Sequence, residues 1–154
     1  MTTLAAKRPA WTSALRDWQL AVALSLGPLF WLALLVSQSG APARVPGSAL
    51  TLILLVLVYP VLEEIAFRGA VQGFLGRRLG GGSESALSRA NLATSILFAV
   101  AHVLWRGDPL AGAVFLPSLV FGYFRERHAT LASPILLHVF YNAGLFLIFG
   151  VPPQ

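Results

Sequence analysis

Apolar residues run in five blocks along the chain, about Trp18 to Val36, Ala49 to Leu75, Asn91 to Trp105, Leu110 to Phe124 and Leu131 to Val151, with charged residues concentrated between them. A helix that crosses the hydrocarbon of a bilayer needs roughly 20 residues, with about 17 as a lower limit. The first, second and fifth blocks reach that length. The third and fourth are short of it and are expected to extend into their flanks or to be shielded by neighbours. The pattern predicts an all-α polytopic membrane bundle of about five transmembrane helices, forming one integral membrane domain over residues 1–154.

The basic residues test this division independently, because lysine and arginine near the ends of spans collect on the cytoplasmic side. The N-terminal tail carries Lys7, Arg8 and Arg16; the first connection Arg44; the second Arg77, Arg78 and Arg89; the third Arg106; the fourth Arg125 and Arg127; the C-terminal tail none. Alternate segments therefore hold 3 + 3 + 2 = 8 against 1 + 1 + 0 = 2. This places the N-terminus in the cytoplasm and the C-terminus outside, and a four-span or six-span division would scramble the alternation.

Composition agrees. The 154 residues are 56% hydrophobic and 11% charged, with a mean hydropathy of +0.74, whereas a soluble domain carries about a quarter charged residues. A net charge of +5 would suit nucleic acid, but the basic residues sit between apolar blocks rather than along one face, so no nucleic-acid partner is expected. No cysteine is present, which excludes disulfides, thiolate metal sites and cysteine nucleophiles. The first block is longer than the 7 to 15 apolar residues of a signal-peptide core, so an uncleaved anchor is expected. The connection LGGGSES lacks the lysine of a phosphate-binding loop. Gly69, Gly73 and Gly76, three and four residues apart, suggest close helix approach.

An ionisable group at membrane depth costs at least about 2.5 kcal/mol on insertion scales, so each implies a partner or a function. The second block holds Glu63, Glu64, Arg68 and Gln72, the third His102, and the fifth His138 and Asn142. Residues four apart share a helix face and adjacent residues do not. Glu64, Arg68 and Gln72 thus form one stripe in which Arg68 pairs with Glu64. Glu63 lies on the neighbouring stripe below Tyr59 without such a partner, which leaves it the better proton acceptor. Phe98 and His102 share a face, as do His138 and Asn142. Counted at about 1.5 Å per residue, Glu63 lies about 20 Å from the outer end of its span, and His138 and His102 about 10 and 16 Å from the inner ends of theirs. These depths are similar, and one shared polar site is expected. His128, beside Arg127 in the fourth connection, is expected to be solvated. Trp11, Trp18 and Trp105 are expected to be interfacial anchors, with Trp31 facing lipid or a neighbouring helix.

The segments EEIAFR, FAVAH and HVFYN match EExxxR, FxxxH and HxxxN patterns in that order, each on its own span. Together they resemble the CPBP family of intramembrane proteases, also called the Abi or CAAX prenyl protease type 2 family, over a catalytic core of about residues 49–149. The resemblance implies that Glu63 and His102 activate a water for attack on a peptide carbonyl. It further implies that His138 and Asn142 stabilise the developing oxyanion, and that Glu64 and Arg68 support the site. These residue types suit the reaction, which needs a base, a water and donors aimed at the tetrahedral oxygen. A water-filled cavity opening to the cytoplasmic half is expected.

No cofactor is implied on this reading; the alternative is zinc held by Glu63, His102 and His138 with a metal-bound water as the fourth ligand. The partners implied are the lipid bilayer and a membrane-anchored protein or peptide substrate. The expected location is the inner membrane of a bacterium, where small relatives process C-terminal sorting tags in a myxosortase-like role. Two other classes compete. A proton or ion pathway would spread its polar groups through the membrane depth, and the fourth block contributes none. A non-catalytic membrane partner or immunity protein would keep the fold without hydrolysis.

Overall fold

The computed structural model describes residues 16–37, 47–79 and 87–151; Lys7, Arg8, Trp11, Arg44 and the connection over residues 80–85 lie outside them. Five helical stretches follow the five apolar blocks: α1 (Trp18–Ser37), α2 (Ala49–Leu79), α3 (Arg89–Arg106), α4 (Phe115–His128) and α5 (Ala132–Phe149). Among the described residues, α1, α2 and α5 are long and apolar enough to cross a membrane. With α3 and α4 between them, they form an all-α bundle.

The fourth block departs most from expectation. Its first residues, Pro109–Val114, form a 3-10 turn capped by the Asp108 side chain, which accepts from the Leu110 N–H at 2.9 Å. Pro117 explains the late start of α4: proline is tolerated in a first helical turn but not deeper, so the α-helix begins at Phe115. At the other end α4 continues four residues past the apolar block, through Arg125, Glu126, Arg127 and His128. Glu126, Arg127 and His128 find partners on other segments of the bundle, so the fall in hydropathy is not the helix end.

Proline also shapes α2. Pro60 has no N–H and crowds the preceding turn; just before it, Leu54–Val58 widens into a π turn in which the Tyr59 N–H reaches back to the Leu54 carbonyl. The Leu55 carbonyl then has neither the Tyr59 donor nor one from Pro60, and Asn142 on α5 fills the gap, its Nδ2 donating at 3.0 Å. A second π segment covers Ile65–Val71. Such turns are rare and concentrate at functional sites, and these two bracket Glu63 and Glu64.

Helix directions follow from side-chain pairs. Arg68 bonds Ser118 and Gln72 bonds the Gly122 carbonyl, each across 50 residues, so α2 and α4 run parallel in register. Between α3 and α4, Ser88 pairs with Glu126 and Asn91 with the Leu119 carbonyl, an antiparallel order. Between α2 and α5 the pairs are Glu64 with His138 and Leu55 with Asn142, again antiparallel. The start of α1, the end of α2, the start of α3 and the end of α4 therefore share one end of the bundle, with Arg16, Arg77, Arg78, Arg89, Arg125 and Arg127. Arg106 lies at the other. This agrees with the charge alternation. Trp18 and Trp105 are exposed, as expected of anchors.

The expected glycine contacts are not where the bundle closes up. A Cβ on Gly69 or Gly73 would meet only ordinary neighbours, and on Gly76 nothing. The tight approaches are at Gly144, where a Cβ would lie 2.0 Å from the Trp31 ring, and at Gly122, where it would lie 1.9 Å from Asn91 Oδ1. Trp31 thus faces α5, with its ring 5.1 Å from that of Phe140.

His128 is not solvated. Its side chain is buried, with Nδ1 2.6 Å from Ser133 Oγ and Nε2 2.9 Å from Asp17 Oδ2. Arg127 Nε also donates to Asp17 Oδ2, and Tyr123 donates to Gln19. This clasp ties the start of α1 to the α4–α5 corner. The Arg127 hydrogen bond, with help from His128, holds the Asp17 carboxyl at about 2, below its ordinary 3.8. A depressed carboxyl contributes stability above its unfolded value and loses it as pH falls through the folded one. Asp17→Asn should therefore lower the unfolding temperature above about pH 4, and the gap should narrow as pH falls from about 4 towards 2. Thermal unfolding of both proteins in detergent across that range measures it; a gap that does not narrow would contradict the clasp.

Candidate active site

The site forms where α2, α3 and α5 meet at the middle of α4. Glu64 and Arg68, one turn apart on α2, are both fully buried, with Nη1 3.2 Å from Oε1. A buried charge is tolerated only when paired and hydrogen-bonded. Arg68 Nη2 accordingly donates to the Ser118 carbonyl at 3.0 Å and to Ser118 Oγ at 2.7 Å. The guanidinium also lies 4.7 Å from the Phe98 ring and 5.5 Å from that of Phe121. Gln72, the third member of the stripe, donates to the Gly122 carbonyl and to Glu126 Oε1.

Glu64 does more than pair with Arg68. Its Oε1 also lies 2.9 Å from His138 Nδ1. An ionised carboxylate only accepts, so this ring nitrogen carries the proton and the Nε2 lone pair of the neutral ring points away from Glu64. His102 is oriented in the same way by its own helix: Nδ1 lies 2.9 Å from the Phe98 carbonyl, which only accepts. The Phe98 ring lies 4.3 Å from the His102 ring, which realises the spacing read in the sequence.

Glu63 is not isolated. Its Oε2 lies 3.7 Å from His138 Nε2 and 4.0 Å from His102 Nε2. Side-chain exposure is 31% for Glu63, 22% for His102 and 8% for His138, so the group is open on the side of Glu63 and His102. Glu63 Oε2 thus faces two further acceptors at separations too long for direct hydrogen bonds and short enough for a single bridging water. Asn142 gives one N–H to the Leu55 carbonyl, which leaves its second N–H and its carbonyl.

Zinc with three protein ligands would need donor atoms about 3.3 Å apart, as bonds of about 2.0–2.1 Å in a tetrahedron require. The separations here are wider, and among the described residues no group of three His, Asp or Glu is arranged to hold a metal ion. The residues as they stand do not fit that centre.

The fourth block supplies what sequence reasoning missed. Ser118 anchors Arg68; the Gly122 carbonyl and Glu126 anchor Gln72; the Phe121 ring stacks on His138 at 4.9 Å and 25°. The missed signal is a spacing: Ser118, Gly122 and Glu126 repeat every four residues, as Glu64, Arg68 and Gln72 do. The polar groups therefore extend through α4 and along the bundle rather than lying at one level.

Residues 45–144, which carry all six residues singled out in the three motifs, match the model of the type II CAAX prenyl endopeptidase Rce1-like family. Searches of curated proteins and of solved structures returned no match. The matched region takes in α2, α3, α4 and most of α5, the helices that build the site. The chain thus belongs to the Rce1-like family of type II CAAX prenyl endopeptidases, as an integral membrane protein.

Proposed function

We propose that this membrane protease hydrolyses a peptide bond near the C-terminus of a membrane-anchored protein, using a water held between Glu63 and His102. The observation that carries the reading is the trio of acceptors: Glu63 Oε2 within 4.0 Å of two imidazole Nε2 atoms, on rings whose Nδ1–H groups are already committed. A water there donates one hydrogen to Glu63 and the other to His102, and its oxygen lone pair is left to attack.

As the water oxygen bonds to the scissile carbonyl carbon, its proton passes to Glu63 and the carbonyl oxygen becomes an oxyanion. His138 takes a second proton from solvent before the attack, which turns its Nε2 from acceptor to donor toward that oxygen, and the second Asn142 N–H is the other donor. Charge favours this role: Glu63, Glu64 and Arg68 sum to one negative charge, which an imidazolium at His138 cancels. Glu63 then gives its proton to the leaving amine as the C–N bond breaks.

Comparative proteomics of bacterial membrane fractions tests the function. Cells carrying Glu63→Gln should accumulate a precursor with an uncut tail, such as a C-terminal sorting tag, that cells with the unaltered protein process. Identical membrane proteomes with an intact phenotype would favour a non-catalytic partner instead.

A further inference from the structure

His138 is gripped on three sides. Glu64 holds its Nδ1 at 2.9 Å, the Phe98 ring meets it edge-on at 6.0 Å and 74°, and the Phe121 ring lies nearly parallel to it at 4.9 Å and 25°. Phe121 is 2% exposed and also meets Tyr141, one turn further along α5, with ring centroids 5.7 Å apart, so packing fixes it. A phenyl face carries negative quadrupole density and attracts a cation placed over it. Neutral imidazole gains little from that face and imidazolium gains much more.

We propose that Phe121 is a positioning residue for the reaction: its ring sets the plane of His138 and its face stabilises the imidazolium from which His138 donates to the oxyanion. The catalytic part of this rests on the function proposed above; the contact between a ring face and a cation does not. Arg68 also lies over Phe121, at 5.5 Å, but it is charged at every stage, so its attraction does not vary along the reaction. The other ionisable groups around His138 are Glu63 and Glu64 on α2 and His102 on α3. Among the described residues, Phe121 is the ring that α4 sets against His138.

Fluorination isolates the electrostatic part, because it withdraws density from the ring face with little change of shape. The full-length protein in detergent micelles, with 15N-labelled histidine, would carry phenylalanine, 4-fluoro-, 3,5-difluoro- or 3,4,5-trifluorophenylalanine at position 121. The ring nitrogens of His138 and His102 are followed by NMR through a pH titration. The expected result is a His138 midpoint that moves to lower pH with each fluorine, by about half a pH unit or more across the series. His102, whose ring neighbour is Phe98, should not move, and the unfolding temperature should stay within a few degrees.

A His138 midpoint that is constant across the series, one that moves in step with His102, or a ring that never takes up a second proton would each overturn the proposal. None of these readouts requires a substrate, so they are distinct from the failure of the protease reading, which Glu63→Gln decides.

Discussion

Glu63→Gln is expected to lower the cleavage rate by about 100- to 10,000-fold, the range a positioned general base contributes, while the protein folds as before. The amide keeps the size of the side chain but cannot take the proton of the attacking water. Folding should be unaffected because the Glu63 carboxylate is partly exposed and its nearest polar atoms lie 3.7 and 4.0 Å away, beyond direct hydrogen-bonding distance. Cleavage of the accumulated precursor by purified protein, with thermal unfolding measured alongside, separates the two effects. Retained cleavage would remove Glu63 from the chemistry.

Arg68→Leu should do the opposite, acting first on stability. Glu64 is fully buried one turn away, and removing the partner of a buried ion pair leaves an uncompensated charge at a cost of about 3–5 kcal/mol. The Ser118 hydroxyl and carbonyl lose their donor in the same step. For a protein of this size the loss corresponds to a fall of about 6–20 °C in the unfolding midpoint. Adding Glu64→Gln to Arg68→Leu should recover part of the loss, because the orphaned charge is then gone. A double variant as unstable as the sum of the two singles would mean that the two charges are not coupled.

How much of this was legible in the sequence depends on where each interaction stores its signal. The five helices were, because bilayer thickness sets block length and basic residues mark one side. Glu64–Arg68, Phe98–His102 and the meeting of Glu63 with both histidines were too, since helical spacing and depth settle which polar groups in an apolar block can converge. The part played by α4 was half hidden for a physical reason: the spacing of Ser118 and Glu126 could be read, but the phenyl ring, the backbone carbonyls and the glycine that lets Asn91 approach do not stand out in an apolar stretch. Asn142 was half legible. Its spacing from His138 put it near the site, but its bond to Leu55 exists only because Pro60 leaves that carbonyl without a donor, a consequence that appears once the π turn is seen. His128 was misread because a histidine beside two arginines in a connection looks hydrated, and its partner Asp17 lies 111 residues away in the chain.

A kinetic double-mutant cycle on Glu63 and His102 tests most directly whether these two side chains act on one water. Rates are measured for Glu63→Gln, His102→Asn and the double variant on the same precursor. If the water is shared, the double variant should be within about tenfold of the slower single variant, because groups that work as a unit are grossly non-additive. A double variant slowed by the product of the two single losses would contradict a shared water.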